Sequence, residues 1–264
     1  LDKRKHLSRI FYDYWNADDK TLTPILYGLC RGQVEAIVDR EIGTNSRPVI
    51  IVETMSDSMY LNSFDKFLQD PNISMNPLNV IAAYNKNSVL PLAIFYRNHG
   101  YKTFVLLDNT EESKQISAQL ESNQFSTVQT IFFERDGKKM ESIEDYVVVE
   151  DYLHAVNQTY EIKLRQEGYS NLTPESIDSK DSNGILEKLR RVWQDHSEDD
   201  WGEFNNEEIT RYICEKITLE ETNFLSDKTK DQFRSLYRLI AERIRQYQNT
   251  ATKPDLEKFQ KKKE

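Results

Sequence analysis

The sequence has little of several features that define common protein classes. Its 264 residues include only 8 glycines and 2 cysteines. Cys30 and Cys214 lie far apart in the sequence, on what read as helical faces, so we expect reduced core thiols in a cytoplasmic protein and neither a disulfide framework nor a metal site. No apolar run approaches the roughly 18 residues that a membrane span requires, so we expect no membrane partner.

Further absences limit the function. The net charge is −9, which excludes a chain that coats nucleic acid by bulk electrostatics, so any nucleic-acid contact must be local. No Gly-x-x-x-x-Gly-Lys-Ser/Thr loop occurs, so we expect that ATP is not held in a phosphate loop of this chain. The Lys/Arg-rich start lacks the apolar stretch of a secretory signal. Leu1 stands where a methionine would open a reading frame, which indicates a fragment or a trimmed chain.

Short apolar runs alternate with helical patterns in the first half of the chain. Strands are predicted at residues 47–53, 79–84, 102–108 and 127–133. Helices are predicted between them at residues 59–68, 89–96 and 113–120. Strands that alternate with helices of this length imply a parallel sheet with right-handed crossovers. The predicted fold class is therefore α/β, a parallel sheet flanked by helices.

The remaining pattern is helical and divides the chain into parts. We predict a helical lead-in at 1–46, an α/β domain at 47–146, a helical C-terminal region at 147–248 and a flexible tail at 249–264. Candidate helices of the C-terminal region are residues 150–166, 184–195, 206–217 and 229–248. The last of them opens on a possible capping box, from Thr229 to Gln232.

Carboxylates follow two of the predicted strands at the point where each strand ends. Glu53 closes the first strand, Asp108 closes the third, and Asp57 lies four residues after Glu53. Ligands of an open parallel sheet bind beyond the carboxyl ends of its strands, so these acids are expected at one rim. Mg²⁺ and Mn²⁺ prefer oxygen ligands of this kind. The alternative is that the acids cap neighbouring helices.

Four segments in order resemble a known family. Ile-Ile-Val-Glu-Thr-Met-Ser-Asp-Ser-Met-Tyr-Leu at 50–61 and Leu-Leu-Asp-Asn-Thr-Glu-Glu-Ser at 106–113 are similar to its first two motifs. Ser-Ile-Glu-Asp-Tyr at 142–146 resembles its Ser-x-Glu element, and the stretch 204–213 resembles its lysine-bearing segment. The family is that of the TOPRIM domains of OLD (overcoming lysogenization defect) nucleases, and the resemblance spans roughly residues 45–215.

The resemblance implies a metal-dependent endonuclease with a two-metal mechanism. One Mg²⁺ or Mn²⁺ would be held by Glu53, Asp108 and the position of Thr110, and a second by Asp57, Ser142 and Glu144. Glu53, Asp57, Asp108 and Glu144 would be the catalytic acids. The implied partners are nucleic acid and an ABC-type ATPase, carried on a missing N-terminal portion or a separate subunit, in an oligomer that defends against phage.

The chain departs from the family's pattern at four positions of the expected site. Thr110 stands where an aspartate is expected, Thr54 and Ser113 where glycines are expected, and Asn206 where the lysine is expected. The missing aspartate could be replaced by Glu111 or Glu112, and the missing lysine by Lys138 or Lys139.

The loss of charged groups that act as a unit lowers catalysis heavily, so the departures leave the activity open. Three hypotheses follow. The chain is an active nuclease, a non-catalytic docking or regulatory module of an ATPase complex, or an unrelated α/β module that binds a small phosphorylated ligand.

Basic residues concentrate on the last predicted helix, at positions 228–245. They could contact a nucleic-acid backbone, but a solvated face whose cations pair with nearby acids is the simpler expectation. The three tryptophans, Trp15, Trp193 and Trp201, are expected to be core or interface anchors.

Overall fold

The computed structural model describes residues 48–73, 78–98, 101–122, 128–135, 137–166, 171–177, 184–195 and 204–251. The predicted lead-in at 1–46 lies outside these residues, as do Cys30, Trp15, Trp201 and nearly all of the predicted tail. The described residues after position 47 belong to one compact unit.

Strands and helices alternate in the first part of this unit, and helices alone follow. The strands are β1 (Val49–Val52), β2 (Asn79–Ala82), β3 (Thr103–Leu107), β4 (Gln129–Phe132), β5 (Glu134–Arg135) and β6 (Lys138–Lys139). The helices among the strands are α1 (Met55–Leu68), α2 (Lys86–Asn98) and α3 (Glu111–Glu121). After a 3-10 turn at Ile143–Tyr146 come α4 (Val149–Thr159), α5 (Glu161–Gln166), α6 (Ile185–Asp195), α7 (Asn206–Thr218) and α8 (Asp227–Ala251).

The main sheet has four parallel strands in the order β2-β1-β3-β4. The predicted fold class is confirmed. The first and third predicted strands are parallel neighbours in this sheet, since Val49 pairs with Thr103. β5 and β6 form a separate antiparallel pair. Every residue of the two central strands is buried, which explains why both read as continuous apolar runs.

The sheet separates two layers of helices. Its side chains alternate between faces, and Ile50, Val52, Phe104 and Leu106 belong to the large core that α1 and the C-terminal helices also line. Helix α2 packs on β1 and β3 and against α3, whereas α1 packs on β1 and β2 and against α7. Right-handed crossovers account for this division. The chain crosses from β1 to β2 in one direction along the sheet, but from β2 to β3 and from β3 to β4 in the opposite direction. The helix after β1 therefore lies on one face and the helices after β2 and β3 on the other.

The helical C-terminal region shares its core with the sheet. Phe233 of α8 stacks on Phe64 of α1 with ring centroids 3.7 Å apart. The Tyr237 hydroxyl donates to the Leu61 carbonyl at 2.8 Å. Trp193 is buried and packs against Tyr160, so it is a core anchor as expected. The α8 helix therefore closes the core over α1, although it lies far from α1 in sequence.

Two predicted helices differ in detail. Residues 150–166 form two helices, separated at Tyr160, whose hydroxyl donates to the Asn205 carbonyl and accepts from the Asn205 amide, both at 3.2 Å. The last helix begins before the predicted capping box. Thr229 instead donates to the Asp151 carboxylate at 2.5 Å and accepts from the Val148 amide at 2.9 Å. Its hydroxyl is used in a tertiary contact, so it does not serve as the helix cap.

Cations on α8 pair with acids on the same helix, as expected of a solvated face. Lys230 pairs with Asp227 at 2.8 Å, and Arg234 pairs with Asp231 at 2.6 Å. Within the described ranges, none of the helices combines the length and the apolar character needed to cross a membrane.

Candidate functional site

The central strands bring Glu53 and Asp108 together at the carboxyl end of the sheet. Each follows the last residue of its strand, and the two strands are paired in parallel register. The Asp108 backbone amide donates to Glu53 Oε1 at 2.8 Å, and Glu53 has no exposed surface. The two acids therefore lie at one rim as predicted, and the backbone amide of Asp108 bonds directly to the Glu53 carboxylate.

Asp57 lies in the first turn of α1 and is part of a capping box with Thr54. Its Oδ2 accepts from the Thr54 amide at 2.8 Å and from the Thr54 hydroxyl at 2.9 Å, and the Asp57 amide donates back to Thr54 Oγ1 at 3.2 Å. Asp57 is 3% exposed. The helix-capping alternative is thus realised for this residue, and Thr54, where the resemblance predicts a glycine, supplies the cap.

Glu144 enters the site from the 3-10 turn between β6 and α4. It is buried, and its Oε1 accepts from the Asn206 side-chain amide at 3.1 Å. Ser142, at the start of the turn, is also buried, and its side chain lowers the pKa of Glu144. Asn206, at the position where the resemblance predicts a lysine, therefore contacts a predicted site residue directly.

The four predicted acids share one electrostatic environment. Burial raises the pKa of Asp57 to about 7, and the negative charges of Glu144 and Glu53 add to the effect. Burial also raises the pKa of Asp108 well above its ordinary value, and the charges of Asp57, Glu53 and Glu144 raise it further. The pKa values of Glu53 and Glu144 are raised by burial as well, and hydrogen bonds partly offset that rise. Such a cluster is stabilised by protons or by cations.

The residues suit a hard cation by their chemistry, although their side chains do not form a closed ligand set. Carboxylate and hydroxyl oxygens are the ligands that Mg²⁺ and Mn²⁺ prefer. Glu53 Oε2 is buried and accepts no hydrogen bond. Among the described residues, however, no group of three or more His, Cys, Asp and Glu side chains is arranged as it stands to hold one metal ion. Rotation of side chains would be needed before acids from different elements could share one ion.

Two residues at departures from the family's pattern surround Glu53. The Ser113 hydroxyl donates to Glu53 Oε1 at 2.7 Å and lies 2.8 Å from the Thr110 hydroxyl. Thr110 is the N-cap of α3, since its Oγ1 accepts from the Ser113 amide at 3.2 Å. The position expected to hold a metal thus caps a helix, and the position expected to be glycine supplies a hydrogen bond to the first acid.

Three of the four suggested replacements for the missing groups lie away from the rim. The Glu111 carboxylate is exposed and pairs with Lys114. Lys138 and Lys139 form the exposed strand β6. Glu112 is exposed as well and pairs with Lys86 at 3.3 Å. Of the suggested replacements, Glu112 contacts a residue at the rim.

Lys86, which the sequence analysis did not single out, is a cation at this rim. Its Nζ donates to Thr110 Oγ1 at 3.0 Å and lies 3.9 Å from Glu53 Oε2. One local signal could have found it. A lysine at the first residue of a helix opposes the helix dipole, and the first turn of α2 contains no acid to compensate for it.

Asn109, which follows Asp108, ties the rim to the segment that carries Ser142 and Glu144. Its side-chain amide donates to the carbonyls of Phe133 and Met140, both at 2.6 Å. The Asn109 backbone amide donates to the Glu141 carbonyl at 3.1 Å. These bonds explain how a segment outside the main sheet is held beside the strand ends.

Comparison of the chain with protein families, with curated proteins and with solved structures gave no match.

Proposed function

We propose that this chain is a divergent TOPRIM-like module, resembling that of OLD-family nucleases, that cleaves phosphodiester bonds of nucleic acid with Mg²⁺ or Mn²⁺. One observation carries the proposal. Four acids, the buried Glu53, Asp57 and Glu144 and the half-buried Asp108, lie together beyond the carboxyl ends of a parallel sheet, and the charges of neighbouring acids in this set raise the pKa values of Asp57 and Asp108. A cluster of this kind is stabilised by cations, and ligands of parallel sheets bind at this rim.

The residues that would hold divalent cations fall into two sets. Glu53 and Asp108 would serve one cation, and Asp57, Ser142 and Glu144 would serve the other. A bound divalent cation would neutralise the phosphate and lower the pKa of a water molecule at the scissile bond.

The chain's own hydrogen bonds orient these ligands before any substrate arrives. Thr54 holds Oδ2 of Asp57 through both its amide and its hydroxyl. Asn206 holds Oε1 of Glu144, and Ser113 holds Oε1 of Glu53. Each of these bonds engages one oxygen of its carboxylate, so the side-chain rotation that a shared ion requires would take place against them.

The proposal is tested by nicking of supercoiled plasmid by the purified chain across an Mn²⁺ and Mg²⁺ titration. We expect cleavage that needs high concentrations of either metal, because Thr110 supplies no charge where the family has an aspartate. Glu53→Ala is the blank and should abolish it. Strong cleavage at low Mg²⁺ that Glu53→Ala leaves unchanged would show that these carboxylates are not the site.

The proposed partners follow from the resemblance and from what the sequence lacks. No phosphate-cradling glycine-lysine loop occurs in the chain, so ATP binding is assigned to an ABC-type ATPase partner or segment. We propose that the assembly is oligomeric, acts on nucleic acid and serves defence against phage. A cytoplasmic location is proposed because the buried Cys214 is a free thiol.

A second candidate is a non-catalytic docking or regulatory module that keeps the fold. A specific observation favours it: Ser113 and Asn206, at departures from the family's pattern, donate hydrogen bonds to Glu53 and Glu144. Acids satisfied in this way need a metal less. If neither the wild type nor Asn206→Lys nicks plasmid, even with the ATPase present, while the chain still binds that ATPase, the second candidate is favoured.

A further inference from the structure

The Lys86 ammonium lies among oxygens of three residues at the outer side of the acidic rim. Nζ is 3.0 Å from the Thr110 hydroxyl, 3.3 Å from Glu112 Oε2 and 3.9 Å from Glu53 Oε2. The Lys86 side chain is 31% exposed, whereas that of Glu53 is 1% exposed. The lysine therefore reaches from the surface toward a fully buried charge.

Glu53 needs a cation on the side that faces Lys86. Its Oε1 accepts from the Asp108 amide and from the Ser113 hydroxyl. Its Oε2 is buried and accepts no hydrogen bond. Lys86 Nζ lies 3.9 Å from this oxygen, so the two groups form an ion pair without a hydrogen bond. Burial of a carboxylate is unfavourable unless an opposite charge compensates for it. Lys86 supplies that charge.

The position of Lys86 is set by the sheet and is not explained by the helix it begins. The Ala83 amide donates to the Val52 carbonyl at 2.9 Å, which ties the end of β2 to the residue before Glu53. Asn85 caps the following turn, since its side-chain oxygen accepts from the Ser88 amide at 3.0 Å. The helix start is thus already capped, and a cation there is unfavourable to the helix dipole.

We propose that the Lys86 ammonium takes the place of one of the two divalent cations, the one that Glu53, Asp108 and the residue at position 110 would hold. The inference rests on the proposed function and narrows it to one divalent cation per chain, on the side of Asp57 and Glu144. It also explains Thr110, because a site that holds a single positive charge needs fewer carboxylates, and a hydroxyl can accept a hydrogen bond from an ammonium.

The test counts bound Mn²⁺ by calorimetry and electron paramagnetic resonance on the full chain. We expect one Mn²⁺ per chain for the wild type and one more for Lys86→Met, which keeps the length of the side chain without its charge. Lys86→Arg keeps the charge and should bind as the wild type does. Lys114→Met is the matched control, because Lys114 is a comparably exposed lysine that pairs with an acid outside the rim.

Each outcome of these measurements either supports the role of Lys86 or overturns it. Two Mn²⁺ per wild-type chain, or a Lys86→Met count equal to that of the wild type, would overturn the inference. If Lys86→Met folds only when Mn²⁺ is added, as followed by circular dichroism, the ion has replaced the ammonium and the inference stands. If Lys86→Met does not fold even with Mn²⁺, a divalent cation cannot take this place and the inference fails.

These outcomes are independent of cleavage. A gain of one Mn²⁺ in Lys86→Met supports the role of Lys86 even where plasmid nicking by the wild type is absent and the nuclease proposal fails. Conversely, nicking that depends on Glu53 together with two Mn²⁺ per wild-type chain would leave the nuclease proposal standing and remove the role of Lys86.

Discussion

Glu53 and Asp57 are one helical turn apart in sequence and lie at the same rim, but their surroundings differ in charge. On the Glu53 side, Lys86 and two hydrogen-bond donors lower the pKa that burial raises. On the Asp57 side, the nearby charges are those of Glu144 and Glu53, both negative, and the pKa reaches about 7. The comparison indicates that the chain neutralises one half of the cluster with its own cation and leaves the other half to protons or to a bound ion.

The largest expected effect is on cleavage when the Asp57 side loses its charge. Asp57→Asn keeps an oxygen that can accept from Thr54, so the helix cap survives while the carboxylate is lost. Removal of one member of a catalytic unit commonly costs about 10²-fold or more. We expect that loss in plasmid nicking. Asp231→Asn, which changes an exposed acid of α8, is the control and should nick as the wild type does.

The next effect is on stability as a function of pH. The folded-state pKa of Asp57, about 7, lies above its ordinary value of 3.8, so the folded chain binds more protons than the unfolded chain between these values. The stabilisation that protonated Asp57 contributes is fully present below pH 3.8 and is lost as the pH rises to about 7. The difference corresponds to about 4 kcal/mol in the free energy of unfolding.

Urea unfolding of the wild type and of Asp57→Asn across this pH range measures the effect. The variant should lack the part of the dependence that Asp57 contributes and should be more stable than the wild type above pH 7. Added Mn²⁺ should restore stability to the wild type at high pH. A wild type whose stability rises from pH 4 to pH 7 would contradict the assignment of a raised pKa to this group.

A smaller effect is expected on the Glu53 side from Ser113→Ala. The variant removes a 2.7 Å hydrogen bond to a buried carboxylate and leaves the Asp108 amide and Lys86 in place. Hydrogen bonds to charged groups contribute about 1.5 to 3 kcal/mol, so a loss of about 2 kcal/mol in the free energy of unfolding is expected.

Ser117→Ala is the matched control for Ser113→Ala. Ser117 is a buried serine of the same helix, but its hydroxyl donates to the exposed Glu121 at 3.2 Å. Its loss should be clearly smaller when both variants are unfolded in urea under the same conditions. Equal losses would show that the Ser113–Glu53 bond makes no particular contribution.

The smallest effect is expected from a substitution that adds a cation on the Asp57 side and so reduces its difference in charge from the Glu53 side. Asn206 contacts Glu144, so Asn206→Lys places an ammonium near a negative charge that acts on Asp57. An opposite charge within a few ångströms lowers a carboxyl pKa by about 1 unit or more. The pH at which stability is lost should therefore fall by about 1 unit, as measured by urea unfolding. Asn206→Met, which lacks the charge, should show no such fall.

The alternation of strands and helices and the rim with its acids could be predicted from the sequence. Two apolar runs end in Glu53 and Asp108, and both became central parallel strands because runs of this kind are suited to burial on both faces. Parallel strands end at a common edge, so their terminal acids had to be neighbours. Periodicity and the order of strand-end residues carry this information locally.

The partners of Glu53 and Glu144 were decided by the tertiary structure alone. Ser113 is 60 residues from Glu53, and Asn206 is 62 residues from Glu144, so neither contact has a local pattern. Thr229 does not serve in the predicted helix cap because its hydroxyl donates a hydrogen bond to Asp151, 78 residues away. Lys86 reached Glu53 only because β2 lies beside β1. Periodicity determines which face of an element is buried, whereas the packing of distant elements selects the hydrogen-bond partners and the counter-charge of a buried acid.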